Sequence, residues 1–347
     1  MSIKVFVCDD SALVRKILTT QLDKFPDIEI SGQAADPYEA RDKIVINKPD
    51  VMILDIEMPK MDGLTFLSKL MQSFPIPVII VSSLSKKGSD VAIRALELGA
   101  CDVMAKPNGS YSVVDMVDEL AEKIRAASHV SLATLKARYE SNKQVVVQQT
   151  QSKAVFKTTD KIIAIGSSTG GTEAVKDVLA MLPAGMPPIL ITQHMPPNFT
   201  KSWAERLNTL CPLHVSEAQN GDEVTAGKVL VAPGGYHMVL RRNGARYIVE
   251  LNQEEPVWHQ RPAVDPMMES VAQYAGKNAI GVILTGMGRD GAAGLKKMRD
   301  AGAKTIGQDE KSSVVYGMPK VAFEEGAVMY QVPLKAVANK IIECIDD

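Results

Sequence analysis

The stretch AIGSSTGGTEAV, residues 164–175, sets two adjacent serines among three glycines. An apolar run precedes it and a helix-like pattern follows. Strand, glycine-rich turn and helix in that order serve two chemistries. One is a dinucleotide loop, whose backbone N–H groups and helix N-terminus hold a pyrophosphate. The other is a G-x-S-x-G turn that aims a serine hydroxyl at a carbonyl. The dinucleotide fingerprint G-x-G-x-x-G needs a glycine where this chain has Ser168. Gly166 and Gly170 instead flank Ser168 in the G-x-S-x-G spacing, which leaves Ser167 on the spacer position with its side chain directed elsewhere. On the loop alone, helix capping by both serines weighs as much as catalysis.

A serine nucleophile needs a base within hydrogen-bond reach and a group that orients the base. The chain has five histidines. His194, in LITQHMPP, follows the next apolar run and is expected at the carboxyl end of the neighbouring strand. His129 falls in a polar connecting segment. His214 and His237 lie at or near strands of a β-rich part, where a satisfied structural role is expected, and loop-borne His259 in VWHQRP is the reserve. For the acid, Asp290 in VILTGMGRDG follows a strand and a glycine-rich turn, and it is also placed to cap the helix at GAAGLKKM. Asp265 in RPAVDPMM is the weaker alternative, a cap before Pro266. The order Ser–His–Asp is not the Ser–Asp–His of α/β-hydrolases, but triad geometry recurs in other orders. A hydrolase on a different doubly wound sheet is the expectation. The N–H of Thr169, next after the nucleophile, is the expected oxyanion donor.

A second set of chemically suited residues lies near the N-terminus. Asp9 and Asp10 end a first strand candidate, KVFVCDD, and Asp55 ends a third, VMILD. In an open parallel sheet, ligands sit at the carboxyl ends of the strands. Three carboxylates there suit a hard cation such as Mg²⁺. Ser82 ends the fourth strand, with Ser83 adjacent, and Lys106 ends the fifth. Lys106 offsets the acidic charge and can pair with a phosphoryl group. Each aspartate alone reads as a cap or turn residue. The whole set at successive strand ends does not.

The elements that carry these residues form two α/β halves. In 1–124, the strands KVFVCDD, IEISGQA, VMILD, VIIVSS and DVMAKP alternate with helical patterns, which implies a parallel sheet covered on both faces. A helix from about Asp115 to Leu135 is expected to lead into a polar, Gln-rich linker, with 125–158 as the connecting segment. In 159–347 the alternation returns as a second doubly wound, mainly parallel sheet. A β-rich insertion there contains a hairpin signalled by Asn243-Gly244. The last strand expected is KTIGQD, followed by a helix near LKAVANKIIECI.

Charge and composition exclude several classes. The net charge is −2, split as −5 over 1–124, +5 over 125–158 and −2 over 159–347. Neither large half has the basic excess of a nucleic-acid binder, so a DNA-binding effector is disfavoured. No apolar run reaches membrane-spanning length, and the aspartates in MSIKVFVCDDSALVRK do not fit a signal peptide, so a cytoplasmic protein is expected. The four cysteines lie far apart without a C-x-x-C spacing, which favours reduced thiols over a disulfide framework or zinc. A monomer is expected.

Residues 3–124 resemble the receiver domain of bacterial response regulators, through CDD (8–10), LDIEMPKMDG (54–63), VSS (81–83) and KP (106–107). The resemblance implies that a histidine kinase phosphorylates Asp55, that Asp9, Asp10 and Asp55 hold Mg²⁺, and that Ser82 and Lys106 sense the phosphoryl group. Residues 159–346 resemble the effector domain of CheB-type chemotaxis methylesterases, through IGSSTGGTEAV, ITQHMPPNFT, APGGYHM, RPAVD and GVILTGMGRDGAAGL. That resemblance implies a triad of Ser168, His194 and Asp290, with Met287 N–H as a second oxyanion donor. It also implies demethylation of glutamyl esters on chemoreceptors, with deamidation of receptor glutamines by the same steps. The esterase chemistry needs no cofactor. The receiver is expected to gate the crevice that holds Ser168. The rival reading is an effector that binds a ligand at this loop without chemistry.

Overall fold

The computed structural model describes residues 2–106, 113–131, 135, 139 and 161–346. The chain divides into two compact units, Met1–Val146 and Val147–Asp347.

The first unit is a five-stranded sheet in the order β2-β1-β3-β4-β5, with every pairing parallel. Its strands are β1 (Ile3–Cys8), β2 (Ile28–Ala34), β3 (Val51–Asp55), β4 (Val78–Ser82) and β5 (Asp102–Ala105). The runs VMILD and VIIVS are buried at every residue, as strands covered on both faces must be. Four helices that alternate with these strands begin at side-chain caps. Ser11 caps α1 (Ala12–Leu22), Asp36 caps α2 (Pro37–Ile46), Asp62 caps α3 (Gly63–Ser73) and Ser85 caps α4 (Lys86–Glu97). The chain reverses its direction across the sheet at β1, so the crevice at the carboxyl ends of β1 and β3 is the switch point.

The helix expected between Asp115 and Leu135 is α5 (Val113–Ser128), which ends sooner. It carries the first unit beyond residue 124, because Arg125 pairs with Asp27 and with Glu122, each at 2.7 Å. Most of the expected linker lies outside the described residues.

The second unit has a seven-stranded sheet in the order β14-β13-β12-β6-β7-β9-β8, and every pairing in it is parallel. The strands are β6 (Ile162–Ser167), β7 (Ile189–Gln193), β8 (His214–Glu217), β9 (Lys228–Val231), β12 (Ala279–Ile283), β13 (Lys304–Gln308) and β14 (Tyr330–Val332). Strands β10 (His237–Asn243) and β11 (Arg246–Asn252) form a separate antiparallel hairpin. Asn243 pairs with Arg246, so the turn residues are Gly244 and Ala245 rather than Asn243 and Gly244. Only Gly244 has a positive φ, 61°, which is the type II′ pattern; Asn-Gly at the centre would have meant type I′. The helices are α6 (Gly171–Met181), α7 (Phe199–Leu210), α8 (Val264–Tyr274), α9 (Ala292–Asp300), α10 (Met318–Glu324) and α11 (Leu334–Asp346). Strand β14 and helix α10 follow KTIGQD and add one further crossover to the expected pattern. The core joins Leu190, Leu230, Met238, Leu240, Val264, Met267 and Leu295, so the hairpin and α8 cover the sheet together. Strand β6 lies between β12 and β7, which makes its carboxyl end the switch point here.

An ion pair is buried between α5 and β5 of the first unit. Lys123 on α5 reaches Asp102 on β5 at 2.8 Å and Glu119 at 3.5 Å, and the Lys123 and Asp102 side chains are each 6% exposed. Burial opposes the Lys123 charge, yet the two carboxylates hold its pKa above the usual lysine value. Removing one partner leaves a buried charge uncompensated. Lys123→Ala should therefore cost about 3–5 kcal/mol, read as a lower unfolding midpoint for the first unit. Replacing Lys123 and Asp102 together with apolar residues of similar volume should recover most of that loss.

Candidate functional site

Ser168 follows β6, His194 follows β7 and Asp290 lies beyond the end of β12, so three adjacent central strands deliver the three side chains. All three are buried. His194 Nδ1 lies 3.1 Å from Ser168 Oγ, and His194 Nε2 lies 2.7 Å from Asp290 Oδ2. A carboxylate only accepts, so Nε2 carries the proton and Nδ1 is left to accept the serine hydroxyl. Asp290 is fixed in turn by two backbone donors. Val264 N–H reaches Oδ2 at 2.6 Å and Asp265 N–H reaches Oδ1 at 2.9 Å. These are the first two residues of α8, whose N-cap position is Ala263 and offers no capping side chain. Asp290 therefore caps α8, not the helix that follows it in sequence. Asp265 returns the service: its Oδ1 accepts Gly294 N–H at 2.7 Å, inside the first turn of α9. Burial, then the charge of Asp290, pushes the Asp265 carboxyl above its ordinary pKa.

The turn after β6 differs from the strained serine elbow. The positive φ falls on Gly170, at 79°, and Ser168 keeps a negative φ. A Cβ at Gly170 would also lie 2.6 Å from Val314 Cβ, so glycine is required there twice over. Ser167 turns away from the crevice, fully buried, and donates to Gln193 Oε1 at 2.7 Å. Gln193 then donates to Ser168 O at 2.9 Å and to His194 O at 3.1 Å. One amide thus ties together the backbones that carry the candidate nucleophile and base.

Of the expected oxyanion donors, Met287 N–H has no acceptor among the described residues and stays available. The neighbouring N–H groups are used: Ser168 N–H donates to Thr285 O at 3.0 Å and Gly286 N–H to Val315 O at 3.1 Å. Thr285 Oγ1 holds the Thr169 carbonyl at 3.0 Å, which fixes the Thr169–Gly170 peptide. The other histidines are placed elsewhere. His129 lies in the first unit and His214 is exposed on β8. His237 is buried between Glu255 O and Ala263 N–H, and His259 sits in an exposed turn. All four cysteines are reduced thiols outside any disulfide. Burial pushes Cys8 and Cys211 up to about 12, which rules out a thiolate at neutral pH at those two positions.

In the first unit, Asp9, Asp10 and Asp55 converge, with ligand oxygens all within 4.8 Å of one another. Lys106 Nζ lies 2.7 Å from Asp55 Oδ2 and 3.0 Å from Asp9 Oδ2. The Asp9 contact has an ion pair's distance without a hydrogen bond's direction, so buried Asp9 Oδ2 keeps its lone pairs for another partner. Burial, reinforced by the charge of Asp9, raises the Asp55 pKa to about 6 against the pull of Lys106. Burial opposes the Lys106 charge too, but the hydrogen bond to Asp55 and the charges of Asp55 and Asp9 outweigh it and raise the lysine's pKa. An oxygen donor set with a surplus of negative charge and an unused buried lone pair fits Mg²⁺. Ser82 is the buried strand-end hydroxyl and donates to Gly88 O at 3.3 Å, whereas Ser83 pairs with Ser85 at 3.0 Å.

Each unit matches a known family. Residues 163–341 match the CheB methylesterase family and residues 5–118 match the response regulator receiver domain. A protein-glutamate methylesterase/protein-glutamine glutaminase of Syntrophus aciditrophicus is 55% identical, over 99% of both chains. The chain belongs to the CheB methylesterase family. A Bdellovibrio bacteriovorus CheB-family relative with the same descriptive name is 49% identical, over 98% of this chain and 97% of its own. The catalytic domain of Thermotoga maritima CheB methylesterase is 41% identical, covers 54% of this chain and 99% of its own, and superposes with a TM-score of 0.53.

Gln193 is the one side chain of this hydrogen-bonded set that the sequence did not single out. A glutamine at a strand end carries no signal until its three partners are known. Gln193→Met should leave the Ser167 hydroxyl and two buried carbonyls without their partner. Each orphan costs about 1–3 kcal/mol, and about 1.4 kcal/mol on the barrier is tenfold in rate. Esterase kcat should fall about tenfold or more, with the thermal midpoint measured in parallel.

Proposed function

We propose that this chain hydrolyses glutamate γ-methyl esters on chemoreceptors, and deamidates receptor glutamines at the same site, under control of Asp55 phosphorylation. The observation that carries the reading is the line from Ser168 Oγ through the His194 ring to Asp290, at 3.1 Å and 2.7 Å. Ser168 attacks the γ-carbonyl while His194 Nδ1 takes its proton. Asp290 holds the imidazole in the Nε2–H form and stabilises the imidazolium. The oxyanion lies against the N–H groups of Thr169 and Met287, and one such donor is worth about 3–4 kcal/mol. His194 returns the proton to the departing methoxide, which leaves as methanol. Water, deprotonated by His194, then opens the acyl-enzyme to free glutamate and the serine hydroxyl. With a glutamine substrate, ammonia leaves in place of methanol.

The receiver supplies the control. A histidine kinase donates the phosphoryl group to Asp55, and Ser82 and Lys106 read its arrival. Asp9, Asp10 and Asp55 would hold Mg²⁺, which when bound neutralises phosphoryl oxygen charge. The enzyme acts as a cytoplasmic monomer. No helix among the described residues is long and apolar enough to cross a membrane.

Methanol release from methylated receptor membranes tests the chemistry. Ser168→Ala should lose about 10⁴-fold or more in kcat, while Ser167→Ala keeps most of its activity; the reverse ranking would overturn the assignment. Acetyl phosphate should raise the rate of the wild type but not of Asp55→Asn, and chelation of Mg²⁺ should abolish the rise. Deleting residues 1–150 should raise the basal rate, and an unchanged rate would remove the gating role.

A further inference from the structure

The segment before α8 contains a turn with no ordinary structural justification. Val257 and Gln260 exchange both backbone hydrogen bonds, at 3.1 and 2.9 Å, around two central residues. Those residues are Trp258 and His259, with φ of 53° and 61°. Positive φ at both central positions is the type I′ pattern, which asparagine and glycine fill at little cost. A bulky side chain there is a backbone outlier, and such outliers persist where the surrounding structure holds them and cluster at functional sites. Packing does not require it here, since Trp258 is 51% exposed and His259 is exposed as well.

The turn is anchored to the candidate triad. Trp258 Nε1–H donates to Asp265 Oδ2 at 3.2 Å, Asp265 N–H donates to Asp290 Oδ1 at 2.9 Å, and Asp290 holds His194. Arg289, next in sequence to Asp290, lays its guanidinium 5.1 Å from the Trp258 ring centroid and pairs with Glu325 at 2.8 Å. The indole N–H is thus spent inward, and one ring face is covered by a cation. What remains toward solvent is apolar ring surface, held at a fixed position beside the crevice.

We infer that Trp258, backed by Arg289, is a substrate-binding ledge that takes the polypeptide flanking the ester rather than the ester group itself. The inference rests on the esterase reading above. A rigid aromatic offers contact area at low entropic cost, which suits a macromolecular substrate.

The test uses the full chain activated with acetyl phosphate and Mg²⁺. Methanol release is followed from methylated receptor membranes and from N-acetylglutamate γ-methyl ester. Trp258→Ala should raise KM for the receptor about tenfold or more. Its kcat/KM on the small ester should match that of Trp258→Phe, because both variants lose the same N–H to Asp265. Trp258→Phe, which keeps the ring, should hold a receptor KM near that of wild type. Equal losses on both substrates in both variants would make Trp258 a positioning residue acting through Asp265, and the ledge would be wrong. An unchanged receptor KM in Trp258→Ala would also overturn it. Failure of the esterase reading shows separately, as a wild type that releases no more methanol from receptor than Ser168→Ala does.

Discussion

Everything in the second unit that could do chemistry hangs on one buried carboxylate. Asp290 accepts from His194 and from the first two amides of α8. Those donors sit where a helix leaves its N–H groups unsatisfied and its dipole favours a negative charge. The acid is therefore held and aimed by the same groups that it satisfies. Asp265 does the matching work for α9, so the two helices are locked to each other through exchanged caps. The base, the acid and two helix starts form one hydrogen-bonded unit, and none of them can shift alone.

The sequence read well where periodicity and strand ends were the signal. Apolar runs located β1, β3, β4, β6, β7 and β12, and the residues just past them proved to be the ones brought together. It read less well where the partner is remote. Asp290 and Asp265 each look like the cap of the nearest helix, because local sequence cannot reveal that the caps are exchanged in space. Gln193 was invisible for the same reason. The hairpin turn moved by one residue because the pairing of Asn243 with Arg246 decides it, and asparagine's own preference does not. Strand β14 is three residues long and is specified by its neighbour β13 more than by its own composition.

The two units use the same topological device for opposite electrostatics. In each, a central strand lies where the chain changes direction across a parallel sheet, and the crevice at its carboxyl end gathers side chains from adjacent strands. In the first unit the gathered groups are carboxylates around a lysine, an arrangement suited to a cation and a phosphoryl group. In the second, hydroxyl, imidazole and carboxylate are strung in a line with backbone donors around them, which suits a transient oxyanion. The shared fold supplies convergence, and the strand-end residues decide what converges.

The turn after β6 puts its backbone constraint on Gly170 and leaves Ser168 in an ordinary conformation. The backbone conformation therefore makes no demand of its own on the side chain at position 168, and burial asks only that it be small. Shape and reactivity are held by different residues, two places apart. A descendant of this chain could exchange the serine for another small residue and keep its crevice, its exchanged caps and its sheet. Catalysis is the part of this architecture that is free to be lost, and the crevice that remained would be ready-made for binding without turnover.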